Sequence, residues 1–248
     1  MRIVLAFCTL LMAGCATAPE TEDSAQRVDL EPIAENVWVH TTYGNIPGFG
    51  PYPSNGLAVR GPSGVVLVDS GWGEAQTDAL LKRIEQTIGA PVVAAVYTHA
   101  HDDRMAGAPV LDAAEIVTFA TPLTLSIADQ KALPSQATAF DPDETPKPLL
   151  DAGLTAFFPG HGHSADNLVV AHGPSGVLFG GCLIRAGFAR DMGNTADGDL
   201  TSWGSSALAA GARFPDASII VPGHGATGDR RLLAHTNALA GAARIEAD

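Results

Sequence analysis

Apolar residues gather in short runs along the first third of the chain. Val37-Trp38-Val39, Gly56-Leu57-Ala58-Val59 and Val65-Val66-Leu67-Val68 are rich in β-branched side chains and separated by Gly, Pro, Asn and Ser, a pattern that predicts strands joined by tight turns. From Ala75 to Ile88 the period changes, because Leu80, Leu81, Ile84 and Ile88 recur on one face of a helix. A strand over 91–97 follows, then a helix near 105–114 and a strand over 116–120. Thr121-Pro122 opens the next helix, with Thr as cap and Pro in the first turn. Residues 128–150 carry several prolines and acidic side chains and predict a surface excursion. Strands over 154–158, 167–171, 177–179 and 218–221, with helices over 200–213 and 229–247, complete the pattern. Interleaved strands and amphipathic helices imply a layered α/β body, in halves near 30–150 and 151–248 that form one folding unit.

Composition narrows this. With 248 residues, 46% apolar and 17% charged, the chain holds one substantial core and reads as a compact globular enzyme. A net charge of -13, with no basic cluster to offset it, excludes nucleic acid and anionic membrane surfaces as partners. The start of the chain is an address. Arg2 precedes an apolar run, Ile3 to Met12, that is too short to span a bilayer. Met12-Ala13-Gly14-Cys15 resembles a bacterial lipobox, in which Cys15 is acylated and becomes the mature N-terminus; cleavage after Ala16-Thr17-Ala18 is the alternative. The expected organisation is a lipoprotein-type signal peptide over 1–14, a flexible polar tether over 15–30 and the folded domain over 31–248. That places the protein in the periplasm, anchored to the outer membrane through Cys15 or else soluble.

Cys8 and Cys15 both belong to the export region, so Cys182 stands alone in the folded body and has no intrachain disulfide partner. In an oxidising envelope such a thiol is either buried and inert or bound to metal. The surrounding chemistry favours metal. His99-Ala100-His101-Asp102-Asp103-Arg104 alternates two imidazoles along an extended stretch, with Asp103 two residues further on. His99, His101 and His163 make a three-histidine zinc site with a coordination position left for water. Asp103, Cys182 and His224 supply a second three-ligand set, and a water shared between two metals is a hydrolytic nucleophile. His161 competes with His163, and Asp102 with Asp103, although the HxHxD spacing selects Asp103 and leaves Asp102 to cap a helix or face solvent. His40, His172 and His235 read as surface or hydrogen-bonded core residues.

HAHDDR, GHSADN, GGC and PGHG stand in the order and context found in the class B metallo-β-lactamases, specifically the subclass whose second zinc is held by Asp, Cys and His. The likeness runs from about residue 30 to the end and includes VDSGWG and SNGLAV. It implies an αβ/βα four-layer sandwich of two mixed sheets with flanking helices, and two Zn2+ per chain held at one edge between the sheets. It selects His163, before Ser-x-Asp-Asn, as the ligand and leaves His161 a neighbour. It also implies that Asp69, at the end of a strand, accepts a proton from a ligand imidazole. Arg104 stands where many members of the wider superfamily have a second-site histidine, which together with Cys182 separates the chain from hydrolases such as glyoxalase II.

The same resemblance implies the chemistry, which is zinc-dependent hydrolysis of the β-lactam amide of penicillins, cephalosporins and carbapenems by a metal-bound hydroxide, conferring antibiotic resistance. Asp103 and Asn194 are the implied catalytic residues, Asn194 approaching the lactam carbonyl. Arg185 or Arg190 binds the substrate carboxylate. The segment 44–53, with Ile46 and Phe49 at its apolar tip, resembles a hairpin that folds over bound drug. The partner is a small β-lactam, and a monomer is expected. Two rival classes remain: a metallo-hydrolase of the same fold acting on another ester, thioester or lactone, and a non-catalytic zinc-binding envelope lipoprotein.

Overall fold

The computed structural model describes residues 27–48 and 50–247. The lipobox, Cys8, Cys15, most of the expected tether and Phe49 lie outside them. Four strands open the fold as an antiparallel meander: β1 (Asp29–Ala34), β2 (Val37–Ile46), β3 (Gly50–Arg60) and β4 (Val65–Val68). Helix α1 (Glu74–Ile88) then carries the chain across to β5 (Val92–Val96), which pairs parallel with β4, as a crossover of this length permits. Gly89 ends α1 in the left-handed region, at φ 68°. Two short helices, α2 (Asp102–Met105) and α3 (Ala108–Ala113), precede β6 (Val117–Ala120). Helix α4 (Pro122–Gln130) follows, capped by the Thr121 side chain, and β7 (Thr138–Ala139) closes a seven-stranded sheet in sequence order.

After α5 (Lys147–Asp151) come β8 (Leu154–Phe157), β9 (Val169–His172) and β10 (Val177–Gly181), then α6 (Leu200–Arg213), β11 (Ile219–Pro222) and α7 (Arg231–Ala247). The second sheet has the order β11-β10-β9-β8. Alternation along the strands explains why the sheets stack. Leu57, Val59, Val66, Val68 and Val96 pack against Val170, Val177, Phe179 and Val221 of the other sheet. The intervening residues Ala58, Val65, Leu67 and Ala95 turn the opposite way, onto Leu80 and Ile84 of α1 and Leu111 of α3. On the far side Val169, Ala171, Leu178 and Ile220 meet Trp203 and Ala207 of α6 and Leu233 of α7. The result is the αβ/βα four-layer sandwich, with the inter-sheet core made from residues that alternate with those facing the helices.

Several expectations need correcting. The folded body begins before residue 31, because Val28 is buried in the α1 side of the core and β1 starts at Asp29. The helix expected over 105–114 is two helices broken at Ala106-Gly107. A Cβ on Gly107 would lie 1.8 Å from Thr77 Oγ1 of α1, so the backbone presses too closely there for a continuous side-chain-bearing turn. The excursion over 128–150 holds the end of α4, β7 and α5. The last helix starts at Arg231, two residues later than expected, after Asp229 accepts a bond from the Arg231 amide. Among the described residues no helix is long and apolar enough to cross a membrane.

Candidate metal centre and substrate cleft

Strand direction gathers the candidate ligands at one edge. β10 and β11 are parallel, so Cys182 after β10 and His224 after β11 emerge side by side. β9 runs antiparallel to β10, which brings the β8–β9 loop with His163 to the same end. The loop after β5 supplies His99, His101 and Asp103. Backbone and side-chain bonds join these loops. Leu168 N donates to Thr98 O at 2.8 Å, and the buried Asp166 carboxylate accepts from Ala100 N at 2.9 Å. Asn167 Oδ1 accepts from Ser164 N while its amide donates to Gly160 O, which shapes the His163 loop. These bonds account for the SADN part of the motif. From β3, Asn55 holds the His224 loop: its backbone N donates to Gly223 O at 2.8 Å, and its side chain to Pro222 O at 3.0 Å and Gly225 O at 2.7 Å. Gly223 has no room for a side chain, since a Cβ would lie 2.7 Å from Cys182 Sγ.

The first triad is compact. His101 Nδ1 lies 3.1 Å from His99 Nε2 and 3.0 Å from His163 Nε2. Ligand nitrogens on a tetrahedral zinc stand about 3.3 Å apart, so three nitrogens at this spacing fit one ion. In the second triad Cys182 Sγ lies 3.4 Å from His224 Nε2 and 3.7 Å from Asp103 Oδ2, and His224 Nε2 lies 3.3 Å from Asp103 Oδ2. Sulfur, nitrogen and oxygen donors at these separations fit a second zinc. The two groups of possible ligand atoms overlap, with His99 belonging to sets that include Asp103 and Cys182.

Electrostatics prepare these donors. Burial, then the neighbouring imidazoles, push His99 well below its ordinary pKa and His163 down to about 3, so both offer lone pairs at neutral pH. Burial opposes the charge of Asp103, but Arg104 and His224 hold it well below the carboxylate range. His224 is pulled the other way: burial lowers it, yet the Cys182 thiolate and Asp103 raise it to about 10, and a proton held there is one that a divalent cation displaces.

Arg104 is fully buried. Its Nη2 sits 2.7 Å from Asp103 Oδ2, 3.0 Å from Cys182 Sγ and 3.1 Å from Gly223 O, while Nη1 meets Asn55 O at 2.5 Å and Asp69 Oδ2 at 3.3 Å. Asp69, at φ 65°, also accepts from Thr98 N and Thr98 Oγ1 at 2.7 and 2.9 Å. The expected direct bond from a ligand imidazole to Asp69 is therefore replaced by a relay, because Thr98 Oγ1 lies between the carboxylate and His99 Nδ1, 3.2 Å from the ring. With Nδ1–H donating to that hydroxyl, Nε2 of His99 is left for metal.

The other expected residues sort clearly. Asp102 is exposed and makes no capping bond, and His161 stays outside the ligand sets, with Nε2 3.1 Å from Asp197 O. His40 is buried near Val68 O, His172 bonds Ser175 and His235 bonds Ala189 O. A cleft of about 520 Å³ opens beside both triads, and Ile46, Arg185 and Asn194 line it. Arg190 is exposed and outside that lining. Asn194 uses its carbonyl in a local turn, accepting from Ala196 N at 3.1 Å. Sequence reasoning missed Trp72, Lys131 and Asp197, which also line the cleft. Asp197 meets His101 Nε2 at 2.7 Å and Lys131 Nζ at 2.6 Å, a junction of residues so far apart in the chain that no local pattern announces it.

A family model described as the metallo-beta-lactamase superfamily matches residues 49–224. A metallo-beta-lactamase type 2 of Bacillus cereus is 34% identical over 209 residues, covering 84% of this chain and 81% of its own. Among solved structures, the metallo-beta-lactamase of Erythrobacter litoralis aligns with TM-score 0.81 at 39% identity, covering 87% of this chain and 96% of its own. FIM-1 of Pseudomonas aeruginosa, solved in a mono-zinc form, aligns with TM-score 0.81 at 38% identity over 88% and 96% of the two chains. The chain belongs to the metallo-β-lactamase superfamily, within its class B metallo-β-lactamases.

Proposed function

We propose that the protein hydrolyses the β-lactam amide of penicillins, cephalosporins and carbapenems with two zinc ions, and that it confers resistance from the bacterial envelope, exported and anchored through Cys15. The observation that carries this reading is the close approach of His101 Nδ1 to His99 and His163 Nε2, next to the Asp103, Cys182 and His224 set, with His101, His163, Asp103, Cys182 and His224 lining one cleft. His99, His101 and His163 would hold one zinc, and Asp103, Cys182 and His224 the other. When bound, the metals supply Lewis acidity toward the lactam carbonyl and bring the ionisation of water near neutral pH.

The chain's own residues do the rest. Arg104 places a positive charge 3.0 Å from Cys182 Sγ, where it holds the sulfur in place at the cleft. Arg185 is the cation for the substrate carboxylate: its Nε donates to Asp191 O at 3.1 Å, fixing the guanidinium at the cleft wall. The Asn194 amide, whose carbonyl is tied into its turn, donates to the lactam oxygen. Ile46 from the β2–β3 hairpin and Trp72 line the same cleft and cover the apolar side chains of the drug. The names of the Bacillus cereus and Bacteroides fragilis relatives, both metallo-beta-lactamase type 2, support the substrate class. Nitrocefin turnover by zinc-loaded protein, lost on chelation and restored by zinc, with thioester and lactone panels run beside it, tests the reading. Absence of β-lactam turnover in protein that carries zinc would overturn it.

A further inference from the structure

Asp197 lies in the long connection between β10 and α6, the same connection that carries Arg185 and Asn194. Its carboxylate receives two donors from elsewhere in the fold, His101 Nε2 at 2.7 Å and Lys131 Nζ at 2.6 Å. His161 Nε2 reaches its carbonyl at 3.1 Å. Lys131 follows the last turn of α4, in the half of the molecule built on the large sheet. Its ammonium would find favourable carbonyls at the end of that helix, yet it extends to Asp197, 66 residues away in the chain. One carboxylate thus joins the α4 end, the HAHDDR loop and the substrate loop.

We propose that Lys131 is a positioning residue that acts through Asp197 on both His101 and the substrate loop. With Nε2–H of His101 donating to Asp197, the ring presents Nδ1 to the other two imidazoles, the orientation in which Nδ1 stands 3.0 Å from His163 Nε2. Lys131 fixes where that carboxylate sits. Without it Asp197 is free to turn toward solvent, His101 loses its orienting acceptor, and the loop with Arg185 and Asn194 loses one of its two ties through Asp197 to the large-sheet half. Lys131 has no bond to the ligand nitrogens, so its effect on zinc passes through Asp197.

The proposal rests on the three-histidine set holding zinc, and the test separates the two. Full-length wild type, Lys131→Met, Lys131→Arg, Asp197→Asn and the Met/Asn double variant are titrated with zinc against a chromophoric chelator, with KM and kcat for a cephalosporin and thermal midpoints measured alongside. Lys131→Met should weaken zinc binding by roughly 5-fold and Asp197→Asn by roughly 10-fold or more, in line with the loss of a ligand's hydrogen-bond partner. KM should rise more than kcat falls, Arg should restore most of both, and the double variant should match Asp197→Asn alone. Wild type that binds no zinc would overturn the metal site itself. Wild type that binds zinc, with Lys131→Met indistinguishable from it or with additive losses in the double variant, would overturn the role of Lys131. So would losses that track the thermal midpoint across all the variants.

Discussion

Arg104 Nη2 stands 3.0 Å from Cys182 Sγ, its guanidinium fully buried behind the cleft that the sulfur lines. A buried guanidinium is tolerated only when it is paired and bonded, and here Asp103, Cys182 and Asp69 outweigh the cost of burial and raise its pKa above the ordinary arginine range. The buried cation therefore depends on its three partners, and it ties the sulfur to the same network as Asp69 and Asp103.

Removing the cation should show this. Arg104→Met keeps much of the volume but leaves Asp69 and Asp103 buried without their partner, a situation that costs about 3 to 5 kcal/mol. Urea unfolding of metal-free protein measures it. A variant within 1 kcal/mol of wild type, on the order of ordinary surface changes, would mean that the pair is replaceable by packing.

Removing the sulfur should act on metal rather than on fold. Serine in place of Cys182 stays a neutral hydroxyl at neutral pH, so Asp103 and His224 are left with no anionic third donor. Zinc content should fall from two equivalents to one, and β-lactam turnover should drop by more than roughly 100-fold, beyond the loss seen when a ligand merely loses its hydrogen-bond partner. Metal analysis beside steady-state kinetics checks both, and two equivalents in the variant would count against cysteine as a ligand.

Much of this was legible in the sequence because it is locally encoded. HxHxD puts its three donors on one loop, and continuous apolar runs such as Val65–Val68 declare a strand buried on both faces. What escaped detection is set by docking of distant segments. β1, with Glu31 and Pro32 in an edge strand, carries no apolar alternation to announce it. Thr98 intervenes between Asp69 and His99 by a spacing that only the folded strand ends fix. Asp197 meets Lys131 and His101 across the two halves, and its own neighbourhood, Asn194 to Gly198, reads as an ordinary polar turn.

Asn55 is the side chain that ties the His224 loop to the large sheet. Asn55→Ala leaves the carbonyls of Pro222 and Gly225 without their donor, worth about 2 kcal/mol in sum. The backbone bond to Gly223 remains, so the fold should persist while His224 loosens. Zinc titration should then show weakened binding at the Asp103, Cys182 and His224 set with the three-histidine set unchanged. Equal weakening of both would place the role of Asn55 in general stability.

His40 carries a pH dependence away from the metal centre. It lies on β2 with Nε2 3.3 Å from Val68 O, and Gly56 leaves space for the ring, since a Cβ there would come within 2.2 Å of it. Burial, opposed by the carbonyl bond to Val68 and reinforced by the charge of Arg104, lowers its pKa to about 4. The unfolded chain takes up this proton near pH 6.5, whereas the folded protein refuses it until about pH 4, so the unfolded state binds more protons between those values. Stability from this group is therefore flat above pH 6.5 and falls as the pH drops toward 4, by about 2 to 3 kcal/mol at pH 4.5. His40→Gln keeps an amide donor for Val68 O and removes the titration. The stability difference between wild type and variant, from urea unfolding at pH 7.5 and again at pH 4.5, should shift in favour of the variant by that amount on acidification. A difference independent of pH would mean that water or a proton reaches the ring in the folded state.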